Sequence, residues 1–132
     1  MTLREVLHAH IPTLSPESTV RDAVDKMDIY QFPGLVICDV HRAVVGVVTE
    51  GDLCRAAVHR DNLTTMASDI ALTYGTKDPV VMHPDTDIGD AFHRMLSSGL
   101  TIMPIVEDER LFGIVLRVDL MQAMLMDVEA VS

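Results

Sequence analysis

The chain has 132 residues, 48% hydrophobic but only 4% aromatic, and a formal net charge of −10 from 20 acidic and 10 basic residues. That length and composition suit one compact domain with an aliphatic, Met-rich core, and they exclude extended disorder. The scattered Lys and Arg exclude nucleic-acid and anionic-membrane surfaces. No apolar run nears the roughly 18 residues of a membrane helix, and the start MTLREVLHAH lacks a signal-peptide layout, so a cytoplasmic location is expected.

Met1 to His8 reads as a lead-in, followed by a short extended segment that ends at Ser15-Pro16. Val20, Ala23, Val24 and Met27 then fall at i, i+3, i+4 and i+7, the single apolar stripe of a helix. Ser18 or Thr19 is a suitable N-cap for it. Leu35 to Cys38 and Ala43 to Val48 are continuous apolar runs of strand length, separated by a turn at Asp39 to Arg42. A helix follows from about Gly51 to His59, and the polar stretch at about 59–66 reads as a linker.

The same order then returns. Ala67 to Leu72 reads as a short helix, the equivalent of Met1 to His8, and a second extended segment ends at His83-Pro84. Ile88, Ala91, Phe92 and Met95 form the second helical stripe, with Thr86 or Asp87 as its cap. Strands at Ile102 to Val106 and Leu111 to Leu116 flank a turn at Glu107 to Arg110, and a helix closes from about Val118 to Asp127.

This is an internal duplication. Pro16 and Pro84, Asp22 and Asp90, Ala23 and Ala91, and Met27 and Met95 are all 68 residues apart. The strings GVVTEGDL from Gly46 and GIVLRVDL from Gly113 align at an offset of 67. The architecture is therefore β-α-β-β-α twice, of the α/β or α+β class. The repeats span residues 1–60 and 66–132.

Several pieces resemble the CBS domain, and the whole chain resembles a stand-alone CBS pair, or Bateman module. In the first copy they are Ser15-Pro16-x-x-Thr19-Val20-x-x-Ala23, the apolar strand ending at Asp39, and Gly46-Val47-Val48-Thr49-x-x-Asp52-Leu53. In the second they are Met103-Pro104-Ile105-Val106-Glu107 and Gly113-Ile114-Val115-x-x-x-Asp119-Leu120. The resemblance implies two repeats related by a pseudo-twofold axis and a homodimer built through helices. It also implies an adenosyl ligand (AMP, ADP or ATP, in some members S-adenosylmethionine or NAD) and regulation of a partner protein, here unidentified.

The sequence Thr49-Glu50-Gly51-Asp52 carries the candidate chemistry. A strand delivers Thr49 to a helix start, where unpaired backbone amides favour a phosphate. Gly51 leaves room for close approach, and the Asp52 carboxylate can accept from both ribose hydroxyls. The same spacing is also a capping box, in which Thr49 and Asp52 only satisfy the helix terminus; the two roles can coexist. The resemblance implies a base pocket contributed by the other copy, from Gly75-Thr76, Val80, Leu100, Thr101 and Met103-Pro104. Leu100 and Met103 could equally be ordinary core. In the second copy Leu116 replaces the hydroxyl and Val118 the small residue, while Asp119 remains. That site, with Arg117 and an opposing wall of His8, Pro12, Phe32 and Pro33, is expected to be weak or empty.

Other chemistry is thin. The six histidines form no metal-ligand set in the sequence, and no nucleophile–base grouping is readable, so no enzymatic role is expected. Cys38 and Cys54 match no zinc or redox motif and read as reduced, packed thiols. The Met-rich run Leu120 to Met126 is expected to pack a dimer. The functional expectation is a regulatory module that senses an adenine nucleotide; the alternative is a ligand-free dimerisation and interaction module.

Overall fold

The computed structural model of the chain describes residues 1–59 and 62–131. It contains four helices, α1 (Val20–Tyr30), α2 (Glu50–His59), α3 (Ile88–Ser98) and α4 (Arg117–Val131). The strands are β1 (Thr13–Leu14), β2 (Gly34–Cys38), β3 (Val44–Thr49), β4 (Thr76–Lys77), β5 (Ile102–Glu107) and β6 (Arg110–Leu116). Short 3-10 turns occupy Leu3–Glu5, Thr64–Met66 and Ala71–Thr73.

Local chemistry explains the element ends. Thr19 caps α1: its hydroxyl accepts from the Asp22 N–H at 3.2 Å, and the Asp22 carboxylate accepts from the Thr19 N–H at 2.9 Å. Those bonds hold the Asp22 carboxyl below its ordinary range, the Thr19 backbone contributing most. Asp87 caps α3 by accepting from the Gly89 and Asp90 amides. Of the two cap candidates in each copy, Thr19 and Asp87 do the work. The helix α2 starts at Glu50, one residue earlier than expected, and α4 runs on to Val131, four beyond the expected end. The β5–β6 hairpin closes through Asp108 and Glu109, both at positive φ, as a two-residue turn compatible with strand twist requires.

The chain divides into two compact units, residues 12–79 and residues 1–11 with 80–132. The spatial units are therefore offset from the repeats of sequence: each copy's leading segment packs in the unit built around the other copy's strands. In the unit of residues 12–79, a four-stranded sheet runs β1-β2-β3-β4, with β1 parallel to β2 and the other pairs antiparallel. Its last strand, β4, comes from the start of the second copy. In the other unit β5 and β6 are flanked the same way, by a parallel bridge from Met82 to Ile105 and an antiparallel bridge from His8 to Ile114. The backbone bonds match too: Leu3 N–H donates to Thr86 O at 3.0 Å, and Ala71 N–H to Ser18 O at 2.9 Å.

Two aligned glycines make this crossing feasible. A Cβ on Gly46 would stand 2.4 Å from Leu72 Cδ1 and 3.0 Å from the Thr76 carbonyl; one on Gly113 would stand 2.5 Å from the His8 carbonyl. Only a residue without a side chain lets the leading segment lie this close to the central strand.

Each unit has its own aliphatic core. One gathers Leu14, Val20, Ala23, Leu35, Ile37, Val48 and Leu53 under α1 and α2, with Met66 and Ala71. The other gathers Met82, Ile88, Met95, Met103, Ile105, Val115 and Leu120 under α3 and α4, with Leu3. Among the described residues no buried polar side-chain atom lacks a hydrogen-bond partner. Of the two thiols only Cys38 is packed, and burial pushes its pKa up. Cys54 is exposed, because it faces outward on α2, so the expectation of two packed thiols holds for one. On α4, Leu120 and Ala123 are buried and Met124 packs against the core, while Met121, Leu125 and Met126 are exposed.

Candidate functional site

Thr49 is the last residue of β3 and immediately precedes α2. Its N–H donates to Asp52 Oδ2 at 2.9 Å, and its Oγ1 accepts from the Asp52 N–H at 3.2 Å. The capping box therefore forms, with the Asp52 side chain only 19% exposed. The Glu50 N–H donates to the Pro33 carbonyl at 2.9 Å, which fastens the helix start to the beginning of β2.

A residue outside the sequence-based set joins this group. Arg55 reaches back one turn and donates from Nη2 to Asp52 Oδ1 at 2.9 Å. Its guanidinium also lies over Gly51, where an added Cβ would meet Arg55 Nη1 at 3.1 Å. The arrangement sets a hydroxyl, a carboxylate, a glycine covered only by the end of Arg55 and a guanidinium around one helix N-terminus. Such a set can hold a phosphate through Arg55 and a diol through Asp52. At 72% exposed, the Arg55 side chain is free to swing between its own Asp52 and an incoming anion. The i, i+3 spacing of Asp52 and Arg55 was the available signal for it.

Thr76 lies in the same unit, on β4, paired with Val47 two residues before Thr49. The remaining base-pocket residues belong to the other unit. There Val80 is exposed, Leu100 and Thr101 are half-buried, and Met103 is wholly buried in the core beside buried Pro104. Of the second set, Asp119, Arg117 and His8 share one unit, with Arg117 exposed at the start of α4. Pro12, Phe32 and Pro33 lie in the other unit, Pro12 just before β1 and the other two at the mouth of a groove between α1 and α2.

The second copy's helix start is built differently. Asp119 Oδ2 accepts from the Leu116 N–H at 2.8 Å, half of a capping box, and from His8 Nε2 at 2.9 Å. No hydroxyl is available at Leu116, and the position equivalent to Arg55 is Gln122.

One further charged cluster stands in that unit. Arg4 donates from Nε to Asp85 at 3.0 Å and from Nη2 to Glu107, and stacks on Phe112 at 5.4 Å. Hydrogen bonding to Arg4 holds the Asp85 carboxyl below its ordinary range. With His83, these carboxylates bring their ligand atoms within 4.8 Å of one another. The Arg4 cation already spans both, and His83 Nδ1 accepts from the Asp85 N–H at 3.0 Å, so the cluster works as a clamp on the leading segment.

The chain has counterparts among known proteins. The family model described as CBS domain matches residues 3–59 and again residues 67–126. The chain belongs to the CBS-domain family. This CBS pair is 31% identical over 122 residues to an uncharacterized 17.7 kDa protein of Acidianus ambivalens, covering 92% of this chain and 71% of that protein. Among solved structures, a CBS-domain-containing protein from Agrobacterium tumefaciens aligns with a TM-score of 0.85 at 20% identity, over 94% of this chain and 99% of that one. CBSX2, a CBS-pair protein from Arabidopsis thaliana, aligns in its complex with AMP with a TM-score of 0.80 at 23% identity, over 95% and 96% of the two chains. The pair also matches an inosine-5′-monophosphate dehydrogenase of Methanocaldococcus jannaschii at 31% identity, but spans only 22% of that enzyme's length. Among the described residues no helix is long and apolar enough to cross a membrane.

Proposed function

We propose that this CBS pair is a regulatory module that senses an adenine nucleotide, with Thr49, Gly51 and Asp52 receiving phosphate and ribose. CBS-pair proteins are regulatory, and one structural neighbour holds AMP. The observation that carries the reading is the first copy's helix start, where Thr49, Asp52 and Arg55 surround Gly51. Thr76, the base-pocket candidate in the same unit, is proposed to wall the base. A ligand that touches elements of both copies can shift their arrangement only through unequal affinity for the alternatives. A thermal-shift panel of AMP, ADP, ATP, S-adenosylmethionine and NAD tests this. A ligand at a hundred times its Kd stabilises the fold by about 2.7 kcal/mol; no shift with any of the five at millimolar concentration rejects the reading.

A second reading, a dimerising interaction module, is favoured by the groove of about 490 Å³ between α1 and α2, lined by Val24, Met27, Leu53, Ala57 and Leu63. We propose that a second copy covers this face, and the two readings are compatible. Light scattering of Ala57→Glu should show the 14.5 kDa chain where the unaltered protein shows twice that mass.

A further inference from the structure

We propose that His8 is a built-in latch on Asp119, holding the second copy's carboxylate closed to a ribose diol while Asp52 of the first copy stays available. The proposal rests on the nucleotide-sensing reading above. It arises from a difference between two positions that the duplication makes equivalent.

The bridge from His8 to Ile114 and the pairing of Thr76 with Val47 are the same place in the two units, 68 residues apart in the leading segment. In the first copy that place holds Thr76, exposed on β4. In the second it holds His8, whose Nε2 lies 2.9 Å from Asp119 Oδ2. An ionised carboxylate only accepts, so the imidazole is the donor, whether neutral or charged. The same oxygen also takes the Leu116 N–H, leaving Asp119 with two internal donors.

Asp52 likewise has two internal donors, the Thr49 N–H on Oδ2 and Arg55 on Oδ1, so the copies differ not in the number of donors but in how readily the side-chain partner, Arg55 or His8, leaves. Arg55 is a long side chain, 72% exposed, paired across a surface. Such exposed pairs are weak, so a ligand displaces it cheaply and can re-use its charge. His8 is held at the backbone on both sides: its N–H donates to Ile114 O at 2.8 Å, and its carbonyl accepts from Ile114 N–H at 3.0 Å. The ring has two rotatable bonds and is 42% exposed, against 18% for Asp119. It therefore sits over the carboxylate without needing to be recruited, and a diol must evict it. Three differences then point one way: Leu116 for Thr49, Gln122 for Arg55 and His8 for Thr76.

AMP titration calorimetry on the full chain tests the latch. His8→Thr installs the residue the first copy carries, and His8→Ala preserves the same backbone bridge, so both variants should keep the fold. The unaltered chain should bind one AMP per chain. His8→Thr or His8→Ala should bind two, and adding Asp119→Asn should return the count to one. A count that stays at one in both folded His8 variants overturns the latch and leaves the nucleotide reading standing. Two AMP in the unaltered chain also overturns it. If the unaltered chain binds none, the nucleotide reading fails. Even then, a single Asp119-dependent site appearing in the His8 variants sustains the latch, and none overturns it.

Discussion

Replacing Thr49 by Val separates the two jobs assigned to its hydroxyl. The isostere keeps the volume and removes the acceptor for the Asp52 N–H, a bond of 3.2 Å at the start of α2. Loss of such a cap costs about 1 kcal/mol. An unfolding entropy near 2.1 cal/mol/K per residue is about 280 cal/mol/K for this chain, so the ligand-free Tm should fall by about 4 °C. If the hydroxyl also holds phosphate, the ligand response falls as well. AMP at a hundred times the Kd of the unaltered protein should raise that protein's Tm by about 10 °C and the variant's by clearly less. Differential scanning calorimetry with and without AMP reads both numbers. A variant that loses the 4 °C but keeps the whole AMP-induced rise would show that Thr49 is only a cap, and the phosphate role would be withdrawn. Thr49→Ser is the control and should behave as the parent in both respects.

Other positions give sharper or simpler outcomes. Gly51→Ala should hold or raise the ligand-free Tm, since Ala suits a helix better by about 0.5–1 kcal/mol and its Cβ meets only the flexible end of Arg55; in calorimetric titration the same variant should weaken AMP binding. Gly113→Ala places a Cβ 2.5 Å from the His8 carbonyl and should cost about 1–3 kcal/mol, with faster amide exchange confined first to residues 1–11. In the monomeric Ala57→Glu variant, iodoacetamide should label exposed Cys54, which lines the groove, well before Cys38, whose pKa is raised by burial. Because the folded value lies above the unfolded one, Cys38 stabilises the fold at neutral pH, and that contribution fades as pH rises past the ordinary thiol range of about 8.5. Asp85 has the opposite sign: Arg4 depresses its pKa, so the clamp is intact above the ordinary value near 3.9 and is lost as pH falls through the depressed value. An acid titration followed by NMR should show the Arg4 side chain changing there, and Glu107→Gln should leave that change in place.

Much of the fold was legible because its signals are local. The stripes Val20–Met27 and Ile88–Met95, the apolar strand runs and the 68-residue offset place the helices and the main strands within a residue or two, except that α4 runs four residues past its expected end. The exchange of leading segments was not legible. Leu3 and Ala71 read simply as the beginnings of their own copies, and it is long-range bonds such as Leu3 to Thr86 that put each in the other unit. Gly46 and Gly113 were visible as conserved spacing within the duplication, but their purpose, room for the crossing segment, appears only with the sheet order. At the site, Thr49 and Asp52 were readable from their spacing. Arg55 does not stand out in the sequence, since a basic residue one turn into a helix is common. The pairing of His8 with Asp119 joins residues 111 apart, a separation no periodicity encodes.

The central claim is that one nucleotide binds each chain through the first copy's carboxylate. AMP titration of the unaltered chain beside Asp52→Asn and Asp119→Asn measures it most directly, since Asn can still cap either helix while losing the charge. One AMP per chain, abolished or greatly weakened by Asp52→Asn and unaffected by Asp119→Asn, is the predicted result. Binding that persists in Asp52→Asn and disappears in Asp119→Asn would contradict the account.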